Sequence, residues 1–374
     1  MKKLLIISVS NGSGHVRAAD AVRKTMNQLH PDVIAEHIDM VDYIRLPMKT
    51  AVVKSYDLMI KQMPELWGFL YHKTDNQTVT GQYHHFSKLM HRMNAAPLYE
   101  KIAEFKPDYI LCTHFLPAQA IFDAPKKYAY RGMMGAVMTD YYNHSFLVHK
   151  KIDQYFVATE KLKWLLETRG IEKDKITASG IPVDPVFYET KSVADLKKKH
   201  GFKDSEHIVL VLSGGQGLAK IDNIVTELCS INMPIAIIAI AGSNERLRKK
   251  LTNLKTPKHC TLHTIGWTDE IDEYMRFSDV IITKPGGMTT TECVVLGKPI
   301  VAIQPIPGQE EYNAEYILEH QHGHIAHSPN DLMYTVMDTL RKPTANKKAA
   351  PESAAKIISN SVYTSLLTAT DLSE

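Results

Sequence analysis

What most constrains this chain is an alternation of short, continuous apolar runs that stop at glycine or polar turns with stretches of helical spacing. The run 234–242, PIAIIAIAG, is the plainest case. Unbroken apolar residues rich in isoleucine and valine suit strands buried on both faces, which occur where crossover helices cover a parallel sheet. On this pattern the first half has strands at 3–10, 33–40, 108–114, 135–140, 154–159 and 176–180. The second half has them at 208–214, 235–242, 261–266, 280–284, 299–305 and 324–327. Two separate βα series predict an α/β protein of two doubly wound domains. A length of 374 residues, more than one hydrophobic core usually reaches, favours the same division.

The boundary falls at GIPVDP, 180–185, where two prolines stop regular structure ahead of a lysine-rich helix at 195–200. The expected domains are 1–185 and 186–345. Residues 341–352 have the composition of a solvated linker, and 353–369 have helical spacing. The tail 346–374 is therefore expected as linker and terminal helix packing back on the first domain. Ligands of such sheets bind over the carboxyl ends of the strands, so a cleft between the two domains is the expected site.

A net charge of +3 is too small for a dedicated nucleic-acid binder. No apolar run approaches the roughly eighteen residues that span a bilayer, and the opening MKKLLII is too short for a signal peptide. Cys112, Cys229, Cys260 and Cys293 show neither metal-ligand nor redox spacing, so reduced, mostly buried thiols in a cytoplasmic protein are expected. One stretch breaks the alternation. Residues 47–71 are rich in Met, Leu, Trp, Phe and Tyr, and 45–101 carries eight Lys/Arg against four Asp/Glu. Such a segment suits an anionic membrane surface, and it equally suits two ordinary helices packed on the domain.

Four turns between strand and helix carry the chemistry. SNGSGH, 10–15, puts Gly12 and Gly14 where backbone can approach a ligand and His15 on a first helical turn, where an imidazole can serve as general base. Its spacing is not the full dinucleotide fingerprint, and Asp39 is the one acid near the end of the second strand that could take a ribose. SGGQG, 213–217, and KPGGMTTTE, 284–292, each pass from a strand through glycines into a helix, so two helix starts can share a diphosphate. Glu292 is placed for a ribose diol. The fourth turn, PIPGQEEYN, 305–313, offers an amide and carboxylates to sugar hydroxyls. No D-x-D metal motif stands at a strand end, and Asp269-Glu270 reads as helix N-cap chemistry, so no metal and no cofactor is expected.

In combination and order, GSGH, SGGQG, KPGGMTTTE and PGQEEYNAE resemble the monogalactosyldiacylglycerol synthase and processive diacylglycerol β-glucosyltransferase group of glycosyltransferase family 28. The resemblance covers residue 3 to about 340 and implies a GT-B glycosyltransferase of two Rossmann-like domains. It implies a UDP-sugar held by Gly214, Gly215, Gln216, Gly286, Gly287 and Thr289 at the diphosphate and by Gln309 and Glu310 at the hexose. Glu292 would take the ribose, and Gly266-Trp267 would lie near the uracil. Gly12, Gly14 and His144 fall on the acceptor side, with His15 or Asp140 as the base. A tryptophan that many relatives carry near His149 is missing from SFLV, 145–148.

The implied reaction moves a hexose, glucose before galactose, from a UDP-hexose to the hydroxyl of 1,2-diacylglycerol with inversion. The enzyme would sit on the inner face of the cell membrane, docked through 45–101. An N-acetylglucosamine-using transferase or an epimerase of the same architecture is the first alternative, and a non-catalytic UDP-sugar sensor the second.

Overall fold

A computed structural model describes residues 1–10, 12–44, 95–142, 148–203, 207–212, 221–342 and 349–371. Most of the basic insertion, 45–94, lies outside these residues, as do Gly214, Gly215, Gln216 and His144. The chain divides into two compact units. The first comprises Met1–Pro185, Pro307–Gln309 and Glu352–Glu374; the second comprises Val186–Ile306 and Glu310–Pro351.

The first unit is built on a six-stranded parallel sheet in the order β2-β1-β3-β4-β5-β6. Its strands are β1 (Lys2–Ser8), β2 (Val33–Asp39), β3 (Tyr109–Cys112), β4 (Met133–Val137), β5 (Gln154–Val157) and β6 (Ile176–Ala178). Alternate residues of β1 feed two cores. Leu5 and Ile7 join one with Leu98 and Ile102 of α2 (Ala96–Phe105) and Leu116 and Ile121 of α3 (Phe115–Phe122). Leu162 and Leu166 of α4 (Glu160–Thr168) close the same core. Leu4 and Ile6 join the other with Val22 and Met26 of α1 (Gly14–Leu29). A side-chain period of two thus makes one apolar run serve both faces.

The second unit carries its own six-stranded parallel sheet in the order β12-β11-β10-β7-β8-β9. The strands are β7 (His207–Leu212), β8 (Ile235–Ile240), β9 (Cys260–Ile265), β10 (Val280–Thr283), β11 (Ile300–Ile303) and β12 (Gly323–Ala326). Between and around them run α5 (Val193–Lys199), α6 (Ile221–Leu228), α7 (Glu245–Thr252), α8 (Ile271–Phe277), α9 (Gly287–Val295), α10 (Gln309–Glu319) and α11 (Pro329–Arg341). Counted within this unit, the strand order is that of dinucleotide-binding sheets, and it reverses between β7 and β10. In the first sheet the reversal lies between β1 and β3.

All twelve strands expected from the sequence are present, each ending one to three residues earlier than its apolar run suggests. The shortfall has one cause. The last residues of each run have already left the ladder and form the turn that leads to the next helix.

The terminal helix α12 (Ala354–Asp371) packs on α1, placing Ile358, Val362 and Leu366 in the core of Leu4 and Ile6. The His30 ring stacks on Tyr363 at 3.8 Å between centroids, and the Tyr363 hydroxyl donates to Asp32 Oδ2 at 3.1 Å. Gly180, at φ +84°, lets the backbone pass this helix; a Cβ there would stand 3.3 Å from that of Ala354.

The cysteine expectation holds for two residues. Cys112 and Cys293 are buried free thiols, and burial pushes both well above the ordinary thiol range. Cys229 and Cys260 instead form a disulfide between the end of α6 and the start of β9, with Cα atoms 5.5 Å apart. Thirty-one residues separate them in sequence, and only the placing of β9 beside β8 brings them together. Ile358→Ala should destabilise the first unit by about 2–5 kcal/mol, the usual cost of truncating a buried isoleucine, read as a lower urea midpoint.

Candidate functional site

In the first unit the predicted groups gather where the strand order reverses. The turn after β1 includes Gly12 at φ +94°, with open space where a Cβ would stand. It leads into α1, whose N-cap Ser13 makes no side-chain capping bond. Asp39, considered as a ribose ligand, has a structural task. Its Oδ1 accepts from Val41 N at 3.0 Å and from Ser10 N at 3.2 Å, bracing this turn.

His15 stands on the first turn of α1 with its ring half-buried. Its Nδ1 lies 2.7 Å from the Thr113 carbonyl oxygen, which can only accept, so Nδ1 carries the proton. Nε2 is then the basic nitrogen of the neutral ring. Thr139 Oγ1 lies 3.1 Å from the same Nδ1, and the His114 ring meets the His15 ring edge-on at 4.6 Å. Burial lowers the His15 pKa from its ordinary value, while the negative charge of Asp140 and the Thr113 carbonyl pull the other way. His114 is pushed further down, by burial and by His15 itself. Its Nδ1 accepts from Leu116 N at 3.1 Å, so this neutral ring also has a fixed tautomer.

In the second unit, β7 and β10 are neighbours, with Val209 beside Val280 and Val211 beside Ile282. The KPGG turn therefore follows β10 at the reversal of the sheet, and the SGGQG segment, outside the described residues, follows the adjacent β7 in sequence. Gly286 is the N-cap of α9 and has neither a side-chain cap nor any atom within 4 Å of where a Cβ would stand. The first N–H groups of α9, from Gly287 to Thr289, thus have no side-chain cap, an arrangement that suits an anion. Thr289 is half-buried, and Glu292, one turn on, is 1% exposed.

Lys284, the first residue of the KPGG motif and one to which the pattern alone gives no role, is half-buried beside this helix start. Burial lowers its pKa, and Glu310 opposes that shift. Glu310 also braces the fourth turn, its Oε2 accepting from Ile306 N at 2.8 Å. Gln309 opens α10. Gly266 and Trp267 come directly after β9, and the Trp267 ring is 75% exposed, an uncommon position for so large an apolar surface.

Asp269-Glu270 does not act as N-cap chemistry. Glu270 occupies the N-cap of α8 without a side-chain capping bond, and its carboxylate accepts from Lys199 Nζ at 2.7 Å. Among the described residues, His200, Glu270 and Glu273 form the one cluster with metal-ligand geometry. The Lys199 ammonium already fills it, 2.7 Å from Glu273 as well, and His200 Nε2 lies 2.8 Å from Glu273 Oε2. Sequence reasoning misses the partners of His15 because Thr113 is 98 residues distant and carries no motif. That Thr113 stands directly after a buried strand at the sheet reversal is the available signal.

The family model for "Monogalactosyldiacylglycerol (MGDG) synthase" matches residues 15–183, and that for "Glycosyltransferase family 28 C-terminal domain" matches 208–366. A processive diacylglycerol beta-glucosyltransferase of Bacillus pumilus is 26% identical over 349 residues, spanning 91% of this chain and 87% of the relative. Its counterpart in Bacillus subtilis is 28% identical over 360 residues, spanning 93% and 91%.

Among solved structures, the UDP-GlcNAc 2-epimerase of Neisseria meningitidis bound to UDP-GlcNAc superimposes with a TM-score of 0.62. It is 16% identical, over 97% of this chain and 100% of that one. The MurG of Acinetobacter baumannii gives 0.60 at 12% identity over the same shares. These are likenesses of fold, and they agree with two Rossmann-like domains of the GT-B type.

Lys284→Met and Glu292→Gln should each raise the KM for the UDP-sugar about tenfold or more, since each removes a charge from a part-dry helix start. Steady-state kinetics at saturating acceptor would read this.

Proposed function

We propose that this chain, a member of the monogalactosyldiacylglycerol synthase family of glycosyltransferases, transfers a hexose from a UDP-sugar to the free hydroxyl of 1,2-diacylglycerol. Glucose is the preferred sugar, galactose the second choice, and the product is the β-glycoside. The observation that carries the mechanism is the fixed tautomer of His15, whose Nδ1 proton is committed to the Thr113 carbonyl.

In this reading His15 Nε2 takes the proton of the acceptor hydroxyl as its oxygen attacks the anomeric carbon. The bond from that carbon to the diphosphate oxygen breaks, and its electron pair leaves with UDP. The growing negative charge meets the N–H groups and positive end of α9, together with the Lys284 ammonium. The Gly214-Gly215-Gln216 turn would supply a second set of N–H groups. Glu292 would hold the ribose, Trp267 would lie against the uracil, and Gln309 and Glu310 would read the hexose. No metal ion enters this scheme.

Diacylglycerol lies in a bilayer, so the enzyme must meet a membrane surface. No helix among the described residues is long and apolar enough to cross one. Docking is assigned to the basic, aromatic stretch within 45–101, on the anionic inner face of the cell membrane.

Incubation with UDP-glucose, UDP-galactose or UDP-N-acetylglucosamine and diacylglycerol vesicles, with the lipid products then separated and identified, tests the assignment. Glucosyl-diacylglycerol as the main product is expected. Conversion of a UDP-sugar without lipid would make the protein an epimerase, and binding without turnover a sensor. His15→Gln should lower kcat by at least about a hundredfold, the usual contribution of a general base.

A further inference from the structure

We infer that Thr113 is a positioning residue for His15, and that orientation and charge compensation, both commonly supplied to a catalytic histidine by one carboxylate, are divided here between Thr113 and Asp140. The inference rests on His15 being the base.

Thr113 grips His15 at two points. Its carbonyl oxygen accepts the ring Nδ1 proton at 2.7 Å, and its hydroxyl donates to the His15 backbone carbonyl at 2.9 Å. The first contact fixes the tautomer and the plane of the ring, and the second fixes the first turn of α1 to which the ring is attached. Thr113 is itself held: it is 1% exposed and its N–H donates to the Ile7 carbonyl of β1 at 3.1 Å. Thr139, just beyond β4, limits ring rotation from a second side. His114 limits it from a third, stacked on Phe115 at 4.5 Å. The ends of β3 and β4 therefore aim Nε2.

A carbonyl orients an imidazole but brings no full negative charge to meet the proton that the ring gains during reaction. Asp140 directly follows Thr139, whose Oγ1 lies 3.1 Å from His15 Nδ1, and its Oδ2 accepts from Gln309 Nε2 at 2.5 Å. From this place its negative charge favours the protonated ring. The other titratable neighbour, His114, is kept neutral by burial and by His15 and so brings no competing charge. A rigid aim and a separate charge are then alterable one at a time, which is the testable content of the division.

The test measures kcat and kcat/KM against pH, with UDP-glucose and detergent-solubilised diacylglycerol, for Thr113→Val, Thr113→Ser, Asp140→Asn and His15→Gln. Thr113→Val keeps the carbonyl and removes the hydroxyl, so kcat should fall about tenfold or more at every pH as the base loses alignment. Its acid limb should stay at the wild-type pH and its KM for UDP-glucose should remain within about twofold. Thr113→Ser should restore most of the rate. Asp140→Asn removes a charge that favours protonated His15, so the acid limb of kcat/KM should move to lower pH.

Wild-type kcat in Thr113→Val, or Thr113→Ser impaired as badly as the valine, would overturn the positioning role. An unmoved limb in Asp140→Asn, or no transfer at all by that variant, would overturn the division of roles. If His15→Gln keeps its rate, the reading of His15 as base fails. If it is inactive while Thr113→Val is intact, only the present inference fails. Calorimetric binding of UDP checks that each variant is folded.

Discussion

Everything chemical in this protein depends on parallel strand pairing. A parallel sheet sends all its strands out at one end, so every strand-to-helix turn emerges on the same side. Where the order reverses, two neighbouring crossovers leave towards opposite faces of the sheet, and a space opens between their turns. In the first unit that place lies between β1 and β3, and it receives His15 from one turn and Thr113 from the other. In the second unit it lies between β7 and β10, and the turn after β10 leads there into the uncapped start of α9.

The two reversals have been given different chemistry by few residues. In the second unit glycines, hydroxyls, a lysine and a capless helix start make a surface suited to a diphosphate, rich in N–H groups and positive potential. In the first, the helix start carries an imidazole, and burial favours its neutral, proton-accepting form. One fold thus carries two chemically different helix starts by varying only the few turn residues at its strand ends.

The terminal helix shows how far the fold controls connectivity. Residues after Glu352 return to the first unit because Ile358, Val362 and Leu366 complete a sheet face that α1 covers only in part. Helical spacing within 353–369 announced the element, and its apolar stripe required a partner. The Gly180 backbone leaves the close approach that the passing helix needs.

By itself, the sequence determined the twelve strands, their division into two βα series and the turns that bear the chemistry, because buried parallel strands need continuous apolar runs and helix starts need glycines and hydroxyls. It also singled out His15 and Glu292, whose residue types are conspicuous beside those turns. Only the tertiary structure decided which groups meet. Thr113 reaches His15 across 98 residues, Cys229 reaches Cys260 across 31, and Lys199 reaches Glu270 across 71. Periodicity and local propensity act over a few residues, whereas these contacts arise from strand order, which is a property of the whole sheet. For that reason the bond from Ser10 to Asp39 and the lysine partner of Glu270 are not readable in line.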